Sequence, residues 1–131
     1  MDRLSSAGLL VSRVFLSSIF LFAGVNKIFA FTATQGHMAA QGMKMTGLFL
    51  VLAILVELGG GLSVLLGFFP RLGALALFLF LIPVTLVFHR NVSDPAQLGH
   101  VAGNVAVMGG LMAIVSVGGG VFSVGARKKP R

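Results

Sequence analysis

A chain of 131 residues in which only 10% are charged and 56% are hydrophobic, with a mean hydropathy of +1.01, is not an ordinary water-soluble domain, whose charged share is about 25%. Its apolar residues run in long blocks separated by short polar breaks, which excludes a disordered segment, a coiled coil and a nucleic-acid module together. The net charge of +7 does not reverse this, because four of the ten basic residues (Arg127, Lys128, Lys129 and Arg131) fall in the last five positions, and a basic tail beside a bilayer meets anionic lipid first.

A helix crossing about 30 Å of hydrocarbon needs about 20 residues. Four segments are long enough: residues 8–31, 47–69, 72–89 and 98–124, followed by a basic tail at 125–131. They predict an all-α membrane protein, an antiparallel bundle of four transmembrane helices forming one integral domain over residues 1–131. The opening block resembles a signal peptide, but Arg13 interrupts its apolar run and no small-residue cleavage site precedes Thr32, so it is expected to be a retained first span. The first break, residues 32–46, is expected to be an outer loop. The second break is only Pro70 and Arg71 and forces a tight antiparallel hairpin. Glycines at 59–61 and 67, 109–110 and 118–120 read as surfaces where helices approach closely in lipid.

Four spans put both termini on one side. That side collects Arg3, Arg13, Arg71, Arg127, Lys128, Lys129 and Arg131, against Lys27, Lys44 and Arg90 opposite. The bias predicts cytoplasmic termini. With no tryptophan and no tyrosine, no aromatic belt fixes the depth of the bundle.

An ionisable group inside a bilayer costs at least about 2.5–3.5 kcal/mol on insertion scales, which makes it a functional candidate. Glu57 is such a group. At about 1.5 Å per residue it lies roughly 18 Å above the cytoplasmic end of its helix, Lys27 roughly 28 Å, His89 roughly 26 Å and Asn104 roughly 20–22 Å. Helical side chains lean toward their own N-terminus, so Lys27 and His89 lean down toward the midplane while Glu57 and Asn104 lean up. Lys27 is therefore the expected partner of Glu57, with Gly24 and Gly60 letting the two backbones close beside the pair. Arg13 leans the other way and is expected to snorkel to the cytoplasmic headgroups. His100 stands one turn before Asn104 on the same face. Two readings of the Glu57–Lys27 pair stay open: a register-fixing ion pair, or a ligand or proton site. In the outer loop His37, Met38, Met43 and Met45 are soft donors of a kind copper(I) accepts. No second histidine stands at ligand spacing, and no metal site is expected.

Four stretches, GVNKIF at Gly24 to Phe29, ELGGGLSVLLGFFPR at Glu57 to Arg71, IPVTLVFH at Ile82 to His89 and GNVAVMGGLM at Gly103 to Met112, resemble the DoxX family of small four-helix bacterial membrane proteins. They fall in the family's order across nearly the whole chain. Arg13 fits the family's arginine early in the first helix, and Gly103 stands where the family often has lysine. The resemblance implies the same four polar positions, Lys27, Glu57, His89 and Asn104. It also points to membrane redox systems, since relatives include the large subunit of an archaeal thiosulfate:quinone oxidoreductase.

With no cysteine, a redox role must use a carrier or a partner. The expected function is an accessory subunit of a quinone-linked membrane redox complex rather than a stand-alone enzyme, with no cofactor held within the chain beyond a quinone in the outer-half pocket. The alternative is a non-catalytic structural or assembly subunit packed against a larger membrane complex. A third reading, transport of a small solute or proton, would require homo-oligomerisation to make room for it. Expected partners are membrane lipids and other proteins of the complex, with no nucleic acid.

Overall fold

The computed structural model describes residues 2–88 and 93–124. His89 and the basic tail at 125–131 lie outside the described residues. Among those described, every regular element is a helix, and four helices are long and apolar enough to cross a membrane.

The first helix, α1 (Arg3–Phe29), starts five residues before the predicted boundary. Asp2 supplies the reason: its carboxylate accepts the Ser5 N–H at 2.7 Å and so caps the first turn. That hydrogen bond holds the Asp2 carboxyl below its ordinary pKa. After Ala30 comes α2 (Phe31–Ala40), where a loop was expected. The stretch holds three alanines, a methionine and a glutamine, all good helix formers. Met38 is buried, and the Thr34 hydroxyl donates back to the Ala30 carbonyl. Gly42, at φ +85°, turns the chain out of it.

Next comes α3 (Thr46–Leu66), which buries Leu50, Glu57, Gly60, Gly61 and Val64 along one stripe. It stops three residues short of the predicted end because Gly67 takes the left-handed conformation, φ +73°. Pro70 then opens α4 (Pro70–Phe88), proline being suited to the first helical turn. The Ser63 hydroxyl lies 2.7 and 2.9 Å from the Phe68 and Phe69 carbonyls and fastens the hairpin.

The last helix, α5 (Pro95–Val117), is capped by Asp94, which accepts the Ala96 N–H. It ends seven residues before the predicted boundary. Gly118 and Gly120 have φ of +81° and +78°, so this triplet terminates the helix instead of packing it. The following segment, 118–124, folds back across the α3–α4 turn, where Ser123 lies against Gly67 and Gly119 against Pro70.

Phe20, Val64, Ala74, Leu77, Leu81, Leu111 and Ile114 form the buried core. Gly24 lets α1 close on α3 as expected, a Cβ there lying 2.7 Å from Leu58, but Gly60 turns instead to α4, 2.7 Å from Leu77, and Gly61 is the glycine of α3 that meets α1, 2.9 Å from Leu21. By contrast Gly59 and Gly109 face open space.

Arg13 corrects the sequence reading most. It is 1% exposed, not snorkelling. Its Nε donates to the Val64 carbonyl (2.8 Å), Nη2 to Leu65 (2.7 Å), and Nη1 to Gly119 (2.9 Å) and Phe122 (2.7 Å). Val64 and Leu65 belong to the last turn of α3, whose carbonyls lack helical donors and form the negative pole of the helix dipole. The carbonyls of the 118–124 segment complete the cage.

Candidate functional site

In the half of the bundle away from the termini, the polar side chains of α1 and α3 meet. Lys27 Nζ lies 2.9 Å from Glu57 Oε1 and donates to Oε2 at 3.2 Å. The Glu57 side chain is 5% exposed and that of Lys27 26%. Glu57 accepts from no other group among the described residues. An ammonium carries three donors, and Glu57 engages Lys27 on one side, so the amine keeps donor capacity toward the space it faces.

That space is a cavity of about 740 Å³, within the range of about 300–1,000 Å³ usual for small-molecule sites. Its walls are mainly apolar, with Phe20 from α1, Leu50 and Val56 from α3, and Leu81, Val84 and Phe88 from α4. Among the described residues the polar lining is sparse: Asn26, Lys27, Thr34, His37, Glu57 and Asn104. Pro83, inside α4, also lines it.

Lys27, Glu57 and Asn104 all line this cavity. Asn104 does not join the ion pair: its Nδ2 donates to Thr85 Oγ1 at 3.0 Å, tying α5 to α4. His89 is outside the described residues. His100 is exposed and outside the cavity lining, and Arg13 serves the opposite end of the bundle. His37, Met38 and Met43 reach the cavity wall through α2 and the turn after it, whereas Met45 is exposed. The His37 ring stacks on Phe88 with centroids 5.4 Å apart, so α2 caps the cavity's far end.

Sequence reasoning missed Thr85 and the wall built by α2. Thr85 was accessible to it, since it stands one helical turn after Leu81 on the face that enters the core. The helical state of residues 31–40 was hidden by their mixed polarity.

Comparison with known proteins finds the family that the motifs resemble. The DoxX family pattern matches residues 8–90. The chain is 34% identical to inner membrane protein YqjF of Escherichia coli strain K12 over 124 residues, covering 95% of this chain and 94% of that protein. It is 29% identical to inner membrane protein YphA of the same strain over 127 residues, covering 91% and 89%. No solved structure matches it. With more than half its length matched and four membrane-length helices, the chain belongs to the DoxX family of integral membrane proteins.

Proposed function

We propose that this protein is a multi-pass inner membrane subunit of a redox system that holds a quinone in the distal cavity. The observation that carries the reading is the Lys27–Glu57 pair set in the wall of an otherwise apolar cavity. A quinone needs apolar walls and one or two donors for its carbonyl oxygens, and Lys27 and Asn104 are such donors. Glu57 is placed to exchange a proton with Lys27 when the carrier is reduced or oxidised. The named relatives are inner membrane proteins, and the excess of Lys and Arg on the side of the termini supports cytoplasmic ends.

The test is thermal stability in detergent with added quinone. Wild type should be stabilised and Lys27→Ala should not respond; a wild type indifferent to every quinone overturns the proposal. Orientation is read by impermeant cysteine labelling in intact cells, helped by the lack of native cysteine. Position 44 should label and position 129 should not.

A second reading, a structural subunit of a larger complex, is favoured by one feature. The outward side of α5 presents Gly99, Ala102, Ala106, Gly109, Ala113 and Ser116, all small and exposed, at the spacing of a single helix face. Small faces of this kind let a further helix approach in lipid. Cysteine cross-linking at position 106 in native membranes separates the readings, since recovery only as an uncross-linked monomer counts against a partner there.

A further inference from the structure

The ring of long helices is closed unevenly. Extensive packing joins α1 to α3, α3 to α4 and α4 to α5, whereas α1 and α5 touch little. Contacts across that fourth side lie toward the termini, where Leu16 sits over Gly110 and Arg13 reaches Gly119 and Phe122. Beyond them, α1 presents Ala23, Asn26 and Lys27, α5 presents Asn104 and Val107, and all five line the cavity. Asn26 is exposed, and a methyl group on Gly103 would meet nothing within 4 Å. In a bilayer a seam of this kind faces acyl chains.

We infer that the cavity is entered sideways from the lipid, between α1 and α5, by a neutral, long-tailed molecule with a carbonyl head. The inference rests on the quinone reading of the same cavity and adds the route and the charge class. Charge accounting sets the class. The sequence has three acidic residues. Asp2 and Asp94 cap helices, and Glu57 is held by Lys27. Among the described residues the one lysine or arginine in the cavity wall is therefore already neutralised. A fatty-acid or phosphate head at Lys27 would lie beside the Glu57 carboxylate, and like charges repel strongly where the dielectric is low. A carbonyl oxygen accepts the remaining Lys27 donor without displacing Glu57. With a volume of about 740 Å³, the cavity takes a ring and the first part of a tail, and the seam lets the rest trail into the bilayer.

The absence of tryptophan and tyrosine makes one introduced tryptophan a clean reporter. Phe20 lines the cavity yet is only 2% exposed, while Phe15 is 70% exposed on the same helix. Phe20→Trp and Phe15→Trp are placed separately in nanodiscs of plain or tail-brominated phosphatidylcholine. Quenching of Phe20→Trp by the brominated tails, comparable to that of Phe15→Trp, is the expected result. Quenching of Phe15→Trp alone overturns lateral entry. Phe80→Trp, also on the cavity wall, repeats the measurement should Phe20→Trp fail to fold.

A decyl-tailed benzoquinone should then quench the cavity reporter saturably and Phe15→Trp only in proportion to its concentration in the bilayer. Bromine quenching without saturable quinone quenching keeps the lateral route and overturns the quinone reading. Saturable quinone quenching without bromine quenching does the reverse. Oleate should fail to displace the quinone from the reporter protein but should displace it when Glu57→Gln is added, because Lys27 then carries an uncompensated charge. Equal displacement from both overturns the neutral-head assignment.

Discussion

Arg13 and Lys27 lie on the same stripe of α1 about four turns apart, yet the bundle surrounds them differently. Arg13 is sealed, with four hydrogen bonds to backbone carbonyls of α3 and the 118–124 segment and, among the described residues, no carboxylate partner. Lys27 has a carboxylate partner but is a quarter exposed, toward a cavity. The guanidinium has five donors in a fixed planar fork, which suits it to joining two separate pieces of backbone, the end of α3 and the 118–124 segment. The ammonium is a rotatable point charge and can turn between Glu57 and a ligand. A cation with its donors committed can hold structure, and one with a donor to spare can also hold a guest.

The largest effect should come from Arg13. Arg13→Met leaves the buried carbonyls of Val64 and Gly119 and the part-buried ones of Leu65 and Phe122 without their donor and, at about 1–3 kcal/mol for each buried acceptor left unpaired, should cost on the order of 5 kcal/mol. Arg13→Lys should recover less than half of this, because one ammonium cannot span both the end of α3 and the returning segment. Thermal unfolding in nanodiscs measures both. An Arg13→Met protein as stable as wild type that has lost quinone binding would invert the comparison.

At the other site, Lys27→Met should cost about 1–3 kcal/mol, the penalty for leaving a buried polar group unmatched, and more than Lys27→Met combined with Glu57→Leu, since replacing a whole pair with apolar residues is often neutral. Both variants should lose quinone binding. If the double variant stays stable and still binds, the pair only sets helix register. Additive effects of the two substitutions would show that the residues do not interact.

Gly67→Ala sharpens the account of the sealed end. At φ +73° a side chain costs about 1–2 kcal/mol, and the added Cβ would collide with Ser123. Adding Ser123→Gly removes the Ser123 Cβ but leaves Arg13 Nη2 and the Cα at position 123 each 2.9 Å from the added Cβ, so it should restore only part of the loss. Full restoration would mean that the backbone conformation is not what requires glycine there.

What the sequence revealed follows from what is local. Long apolar blocks define spans by themselves, and with so few charges Lys27 and Glu57 had scarcely any other partners to choose. The cage around Arg13 was not legible, because its carbonyls come from 51 to 109 residues away and side-chain lean describes only the arginine's own helix. Glycine misled for a related reason. Close approach at Gly60 and a left-handed turn at Gly67 or Gly118 use the same residue for different properties, the missing Cβ as volume in one case and as steric freedom in the other. The cavity is negative space, produced by how apolar side chains of α1, α3 and α4 fail to fill the distal half, and no single residue type announces it.

The smallest effect separates structure from binding inside the cavity itself. Asn104 and Thr85 share one hydrogen bond at 3.0 Å, so Thr85→Val and Asn104→Leu each remove the same contact between α4 and α5. Cross-helix bonds in membranes are worth about 0.6 kcal/mol on average, and both variants should shift the unfolding temperature by a similar, small amount. Their effects on ligand should differ. Asn104 lines the cavity and Thr85 does not, so Asn104→Leu removes a donor from the wall whereas Thr85→Val releases the Asn104 amide to turn toward a guest. Quinone affinity measured by saturable tryptophan quenching should fall for Asn104→Leu and hold or rise for Thr85→Val. Equal losses in both would assign Asn104 the role that Arg13 has at the opposite end, a tie between helices, and leave Lys27 to bind the carrier alone.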